Sequence, residues 1–183
     1  MNGKIENAYL FPGWLQRIKN YKNYKGADIW IKDLNRDIGV RYIVGHSLGA
    51  TYALLKFNND KEKNFILVNP LMPKRSLSQN FLRLLKLLFS KEFNLSKVFD
   101  GSLLIFSFHL PRIISLLKVD LFELLEKIPK ENITVIRGIN DRFFCDNESA
   151  EFIRKKGFNL IEASGVGHNW SAKLDEIIAG LVK

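Results

Sequence analysis

The chain has 183 residues, of which 46% are hydrophobic and 26% are charged, proportions that are typical of one globular domain and exclude a disordered or fibrous protein. Its single cysteine, Cys145, excludes an internal disulfide framework and a cysteine-rich zinc site. The first residues show no basic-then-apolar signal segment, and basic residues, a histidine and a proline interrupt the most apolar window, residues 101–119. We therefore expect a cytoplasmic protein without a membrane span.

The chain is basic, with 28 lysine and arginine residues against 19 acids and a net charge of +9. Such an excess suits nucleic acid, an anionic lipid surface or an acidic protein partner. No run of five basic residues and no signature of a nucleic-acid-binding module occurs in the sequence. We therefore expect no nucleic-acid partner.

Short apolar runs that stop at glycine, proline or a polar residue predict strands of a sheet covered on both faces. They lie at residues 5–11, 41–45, 65–69, 133–137 and 159–164. Helical patterns follow at residues 48–58 and 147–156, and a last helix has an apolar stripe of Trp170, Leu174, Ile177, Ile178 and Leu181. This alternation predicts an α/β fold with a mostly parallel sheet.

Two early stretches are less regular. Apolar side chains at positions 14, 15 and 18 recur at helical spacing, before a polar, lysine-rich stretch that ends at Gly26. Residues 28–38 fit a strand by the alternation of positions 29 and 31, and fit a helix by the shared face of positions 30, 34 and 38 behind a potential Asp28 cap. We favour the helix, and the strand stays open as the alternative.

Residues 71–128 break the alternation because they contain no convincing strand and predict several helices. One helix has a wide apolar stripe made of Phe81, Leu84, Leu85, Leu88 and Phe89. Asp120 with Glu123 resembles a capping box that opens a helix reaching Ile128, and Pro111 suits a helix start. The block has a net charge of +4. We interpret it as a helical lid, at about 71–128, on a single domain that spans residues 1–183.

The most informative motif is Gly45-His46-Ser47-Leu48-Gly49, which fits the G-x-S-x-G nucleophile elbow. In this motif a serine lies on a tight turn between a strand and a helix, and the glycines avoid collisions with both elements. A β-branched strand precedes the motif and a helical pattern follows it, so Ser47 is the candidate nucleophile. The alternative is a glycine-flanked turn in which Ser47 merely caps the helix.

A serine nucleophile needs a base, usually a histidine oriented by a carboxylate. Of the three histidines, His46 adjoins the serine and His109 lies in the apolar lid block, whereas His168 follows the last strand. Asp141, in the loop after the penultimate strand, is the candidate acid, and Asp146 and Glu148 are expected to open the next helix instead. The order Ser47, Asp141, His168 is the order that the elbow architecture requires.

An oxyanion hole needs two N–H donors aimed at the developing negative charge. The backbone N–H of Leu48, directly after the nucleophile, is one candidate. The loop Phe11-Pro12-Gly13-Trp14 follows the first strand, and the backbone N–H of Trp14 is the second. Trp14 also suits a core position, and the two roles are compatible.

On these residues the chain resembles an α/β-hydrolase over nearly its whole length, from about residue 5 onward. The resemblance implies a shortened α/β-hydrolase fold, with a mostly parallel sheet of five or six strands in place of eight. The helical block matches that family's cap. Pro12-Gly13 stands where the family often has His-Gly in its oxyanion loop.

Within that family, Gly13-Trp14 together with Ser47-Leu48 resembles the esterases that demethylate pimeloyl-acyl-carrier-protein methyl ester in biotin synthesis. Those enzymes pair a basic cap with an acidic carrier protein, so the resemblance implies an acyl-carrier-protein partner. The implied contacts are the basic side chains of the lid block, namely Lys74, Arg75, Arg83, Lys86 and Arg112.

These observations predict a serine carboxylesterase that acts on an acyl ester. We expect no cofactor and no metal, because the sequence contains no phosphate loop, dinucleotide fingerprint or metal-spaced histidine cluster. One alternative is a lipase or thioesterase that acts on membrane-linked or coenzyme-linked acyl groups with peripheral membrane contact. Another is a catalytically idle scaffold that binds an acidic partner. The oligomeric state is not predicted.

Overall fold

Six parallel strands form a single sheet in the computed structural model, which describes residues 5–14, 16–29, 38–90 and 102–182, without the side chains of residues 88 and 102–109. The strands are β1 (Ile5–Phe11), β2 (Tyr24–Gly26), β3 (Tyr42–His46), β4 (Asn64–Val68), β5 (Ile133–Gly138) and β6 (Asn159–Ala163). Their order is β2-β1-β3-β4-β5-β6, and every neighbouring pair is parallel. The predicted α/β architecture is confirmed, at the upper end of the expected five or six strands.

Helices connect and cover these strands. They are α1 (Leu48–Phe57), α2 (Leu77–Leu88), α3 (Ser102–Leu117), α4 (Leu121–Leu125), α5 (Asn147–Lys155) and α6 (Ala172–Leu181). Short 3₁₀ turns occupy Ile18–Asn20 and Lys130–Asn132. All five predicted strands are present, and so are the helices predicted at residues 48–58, at residues 147–156 and near the end of the chain, with bounds that differ by one or two residues.

Two hydrophobic clusters lie on opposite faces of the sheet because side chains alternate along each strand. Ile43 belongs to the larger cluster, which also holds side chains of α1, α2 and α4. The next residue, Val44, belongs to the smaller cluster with Leu174 and Ile178 of α6. Because both faces of the sheet are covered, successive residues of a strand are all buried, which explains why the strands are continuous apolar runs in the sequence. Each fully buried aliphatic side chain stabilises the fold by about 1.5–3 kcal/mol.

The region before β3 differs from the prediction. A helix was expected to start near residue 14, but the described residues there form only the 3₁₀ turn and then β2, which was not predicted. The Asp28 carboxylate accepts a hydrogen bond from the backbone N–H of Ile18 at 2.5 Å and pairs with Arg17. Asp28 therefore binds the preceding segment. The helix or strand considered for residues 28–38 falls on residues 30–37, which lie outside the described part of the chain.

Between β4 and β5, the described residues hold three helices and no strand. Helix α2 opens with a capping box between Ser76 and Gln79, but only part of its predicted apolar stripe is buried. Leu84 and Leu87 are buried together with Asn80, whereas Phe81 is 51% and Phe89 86% exposed. Asn80 accounts for the difference. It lies on the buried face, where its side chain donates a hydrogen bond to the carbonyl oxygen of Leu117 at 3.3 Å, and a polar residue is not expected on a buried face from the sequence pattern.

Two smaller expectations for this block are also revised. Asp120 caps α4 as predicted, by accepting a hydrogen bond from the N–H of Phe122 at 3.0 Å, but α4 ends at Leu125 and does not reach Ile128. Pro111 lies inside α3 and not at its start. Whether residues 71–128 act as a lid stays a prediction. Among the helices of the described residues, none is long and apolar enough to cross a membrane.

Candidate active site

Ser47 occupies a sharp turn between β3 and α1. Its φ of 53° and ψ of −124° lie outside the regions that most residues with a side chain adopt, which stores strain at the residue. A Cβ added at Gly45 would lie 2.4 Å from Ala50 Cα, and one added at Gly49 would lie 2.2 Å from the carbonyl oxygen of Phe11. Both glycines are therefore needed for the close packing of the turn, as the G-x-S-x-G motif predicts.

His168 and Asp141 reach Ser47 from two neighbouring loops. Asp141 follows β5 and His168 follows β6, and the carboxyl ends of parallel strands meet at one edge of the sheet. His168 Nε2 lies 3.0 Å from Ser47 Oγ, and His168 Nδ1 lies 2.8 Å from Asp141 Oδ2. The residues are almost fully buried, with exposures of 4% for Ser47, 1% for Asp141 and 3% for His168. The structure thus brings together three side chains that are up to 121 positions apart.

The surroundings of Asp141 set the tautomer of His168. Burial raises the pKa of Asp141, but His168 and the N–H groups of Phe143 and Phe144 act against burial and lower the pKa overall. The carboxylate also accepts a hydrogen bond from the N–H of Cys145 at 3.3 Å. An ionised carboxylate only accepts hydrogen bonds, so His168 Nδ1 carries the proton. His168 Nε2 is then the acceptor for the Ser47 hydroxyl.

A cleft of about 370 Å³, including space open to solvent, lies over Ser47. Trp14 and Leu48, the candidate oxyanion donors, both line it with Ser47 and His168. The remaining walls include the apolar side chains of Leu84 and Leu87 from α2 and of Phe144 from the loop after β5. An acyl group placed over Ser47 would therefore contact mostly apolar surface.

Two residues that sequence reasoning did not assign also hold this site together. Asn69 directly follows β4 and has a φ of 45°. Its side-chain amide donates to the carbonyl oxygens of Gly167 at 2.9 Å and His168 at 3.0 Å. Its Oδ1 accepts the N–H of Gly138 at 2.7 Å. Tyr21 is fully buried and bonds to the ring of His46. The sequence signal for Asn69 was an asparagine at the end of an apolar run, whereas no sequence signal pointed to Tyr21.

Apart from His46, the other candidates for the acid and the base lie on helices or at their starts. Asp146 is the N-cap of α5 and accepts a hydrogen bond from Ser149 N–H, as expected. His109 lies on α3. Burial raises the pKa of the Cys145 thiol well above its usual value, so this thiol is not a nucleophile near neutrality. Among the described residues, no cluster of histidine, cysteine and acidic side chains is placed to hold a metal ion.

Most of the basic residues assigned to a partner contact groups of this chain. Arg75 and Arg83 both bind Asp146, at 3.0 and 2.7 Å, and Arg75 is only 6% exposed. Lys74 lies 3.5 Å from Asp120, and Arg112 donates to the carbonyl of Ile29 at 2.8 Å. The side chain of Lys86 is exposed. A contact between these residues and an acidic partner stays a prediction.

No protein-family model and no curated protein sequence matches the chain. Solved structures do resemble it. An α/β-hydrolase from a metagenome of lagoon sediments at Mar Chica, Morocco, has a TM-score of 0.56 at 15% identity, with 98% of this chain and 91% of that chain covered. The N-formylmaleamic acid deformylase of Pseudomonas putida S16 has a TM-score of 0.53 at 13% identity, with 99% and 93% covered.

A carboxylesterase structure from Nitrososphaera gargenis has a TM-score of 0.50 at 12% identity, with 98% of this chain and 91% of that chain covered. Identities this low establish the fold and not the activity. The chain has the α/β-hydrolase fold, as its elbow motif predicted.

Proposed function

We propose that this chain is a serine hydrolase that cleaves carboxylic esters. The observation that carries the proposal is the hydrogen-bonded series Ser47–His168–Asp141, with spacings of 3.0 and 2.8 Å, on three separate loops at one edge of the sheet. A catalytically idle scaffold has no need of this arrangement, which buries three polar side chains and strains the backbone of Ser47. The α/β-hydrolase fold also supports the proposal of a hydrolase.

The proposed reaction has two halves. Ser47 Oγ attacks the ester carbonyl carbon while its proton passes to His168 Nε2, and Asp141 stabilises the resulting imidazolium. The backbone N–H groups of Leu48 and Trp14 bind the oxyanion. The bond to the alcohol oxygen then breaks, and His168 donates the proton to the leaving alcohol. In the second half, water attacks the acyl-serine carbonyl carbon while it gives a proton to His168 Nε2. The bond between the acyl carbon and Ser47 Oγ then breaks, and His168 returns that proton to Ser47 Oγ, so the acid is released and both side chains are restored.

The walls of the cleft favour an apolar acyl group, because Leu84, Leu87 and Phe144 line it. The resemblance to pimeloyl-acyl-carrier-protein methyl ester esterases extends the proposal to a carrier-linked methyl ester and to a cytoplasmic role in biotin synthesis. Arg75 and Arg83 are already paired with Asp146, so Lys86 is the basic side chain to test for carrier binding. Lys86→Glu should raise the KM for a carrier-linked ester and leave hydrolysis of a small free ester unchanged.

A second candidate is a lipase or thioesterase that meets a membrane or coenzyme-linked acyl group. The exposed apolar side chains of α2 and of the residue after it favour this second candidate. Phe81, Leu82 and Phe89 are exposed within five residues of the exposed Lys86. Sedimentation with anionic vesicles at low and high salt separates the two candidates. Salt-sensitive vesicle binding without carrier binding would favour the membrane.

The first experiment measures intact mass after incubation with a fluorophosphonate, a reagent that modifies activated serines. The wild-type protein should gain one adduct, and Ser47→Ala should gain none. Ser78→Ala, which removes an exposed hydroxyl on α2, is the matched control and should still be labelled. Absence of an adduct on folded wild-type protein, or an adduct on Ser47→Ala, would contradict the proposal.

A further inference from the structure

The carbonyl oxygen of His168 is held by two side chains. Asn69 Nδ2 lies 3.0 Å and His46 Nε2 lies 2.9 Å from this oxygen. A carbonyl oxygen only accepts hydrogen bonds, so His46 Nε2 carries a proton. His168 lies in a loop, so its ring stays within hydrogen-bonding distance of Ser47 only if its backbone is fixed. His46 therefore acts on the backbone of the residue that we propose as the base.

The direction of the remaining hydrogen bonds follows from the neutrality of His46. Its burial, together with the neighbouring His168, lowers the pKa of His46 to about 3, so the ring is uncharged near neutrality. With the proton on Nε2, Nδ1 has a lone pair and accepts the hydroxyl proton of Tyr21, whose oxygen lies 2.8 Å away. The Tyr21 oxygen in turn accepts the N–H of Gly13 at 3.2 Å. Each polar atom of this buried series then has a partner.

This series joins the two halves of the site. Gly13 precedes Trp14, one of the proposed oxyanion donors, and His168 is the proposed base. The approach is close, because a Cβ at Gly13 would lie 2.9 Å from His46 Nδ1. Tyr21 lies between the first 3₁₀ turn and β2, and its ring packs edge-on against Trp170 with centroids 4.8 Å apart. A phenylalanine at position 21 would pack equally well. Burying the hydroxyl of Tyr21 and the imidazole of His46 costs free energy unless each is hydrogen-bonded.

We propose that Tyr21 and His46 are positioning residues that set the oxyanion loop and the base loop relative to each other, through the series from Gly13 N–H to Tyr21, His46 and the carbonyl of His168. This inference rests on the proposed function. Neither side chain needs to touch the reacting atoms, because each acts through the backbone of a residue that does. The elbow motif accepts any residue at position 46, so the histidine there is explained by this second task.

The test measures the rate of fluorophosphonate labelling and the hydrolysis of a p-nitrophenyl ester. Tyr21→Phe keeps the ring and removes one oxygen, and we expect it to lower the labelling rate and kcat by about tenfold to a hundredfold with little change in KM. Tyr24→Phe is the matched control, since Tyr24 also packs on Trp170, at 5.6 Å, but lies outside the series. It should react at the wild-type rate.

A second pair of variants separates the hydrogen bond from packing. His46→Gln retains an N–H near the Nε2 position, whereas His46→Leu removes it at similar volume. The glutamine variant should therefore retain more activity than the leucine variant. Equal rates for these two variants, or wild-type rates in Tyr21→Phe, would overturn the inference.

Nuclear magnetic resonance of the folded wild-type protein gives a test that needs no variant to fold and no activity. The chain has three histidines, so the ¹⁵N shifts of their rings are readily assigned. We expect His46 to be neutral, with its proton on Nε2 at pH 7. A proton on Nδ1, or a charged ring, would overturn the inference. If wild type fails to react with fluorophosphonate while His46 has the expected tautomer, the proposed function fails and the hydrogen-bonded series stands.

Discussion

Gly49→Ala tests whether the elbow packs as tightly as the structure indicates. Gly49 is the second residue of α1, where it faces the end of β1. The added Cβ would lie 2.2 Å from the carbonyl oxygen of Phe11 and 2.5 Å from that of Pro12, whereas ordinary contacts begin at 3.4 Å. Both atoms belong to the backbone, so relief requires β1 and its loop to move away by about 1 Å.

The size of the effect follows from two opposing contributions. Overpacking of this kind typically costs about 1–3 kcal/mol, and two backbone contacts at these distances place Gly49→Ala at the upper end. Alanine regains up to about 1 kcal/mol through its better helix propensity. The net expectation is a loss of roughly 2 kcal/mol, which corresponds to a decrease in Tm of about 4–8 °C for a chain of this length.

The same movement displaces Trp14, which follows Pro12 by two residues and is proposed to bind the oxyanion. A displacement of about 1 Å is expected to slow fluorophosphonate labelling of Ser47 by on the order of a hundredfold. Gly180→Ala in α6 is the matched control, because nothing lies within 4 Å of the added Cβ. Gly180→Ala should be labelled at the wild-type rate, and its free energy of unfolding should rise by up to about 1 kcal/mol.

Thermal unfolding and labelling kinetics, measured on the three proteins in parallel, decide the matter. A Gly49→Ala variant with both the Tm and the labelling rate of wild type would refute the packing argument. A lower Tm with an unchanged rate would show that the helix yields instead of the loop that carries Trp14.

Two further predictions concern charge and protonation. Asp141→Asn should retain the fold by circular dichroism and lower kcat on a p-nitrophenyl ester by about 10³–10⁴-fold, because the amide no longer stabilises the imidazolium of His168; a kcat within tenfold of wild type would contradict it. His46 has a folded-state pKa of about 3 against about 6.5 when unfolded, so its contribution to stability is complete above pH 6.5 and is lost as the pH falls toward 3. Between pH 6.5 and 4.5 the wild-type protein should lose roughly 2 kcal/mol more stability than His46→Gln in urea titrations, and parallel losses would count against a buried neutral ring.

The strands and the elbow could be predicted because each is encoded by adjacent residues. A strand covered on both faces needs a continuous apolar run, and residues 65–69 and 133–137 supply such runs. Ser47 is recognisable from five consecutive positions. His168 and Asp141 could be placed at the same edge because the loops that follow parallel strands converge there.

Short or partner-dependent features could not be predicted in this way. Strand β2 has only three residues, Tyr-Lys-Gly, and becomes a strand through its pairing with β1. The buried face of α2 includes Asn80, whose partner is the carbonyl of Leu117, 37 positions away. Neither partner is visible in the local pattern, so β2 was not predicted and the apolar stripe predicted for α2 matches its buried face only in part.

The sequence by itself therefore determined the α/β class, the positions of five strands along the chain and the three polar residues that meet at the strand ends, because these depend on periodicity and on motifs within a few residues. Only the tertiary structure decided how the site is held. Tyr21 bonds to His46 across 25 positions, and Asn69 bonds to His168 across 99. Such hydrogen bonds depend on distances between loops, and those distances exist only after the sheet has assembled.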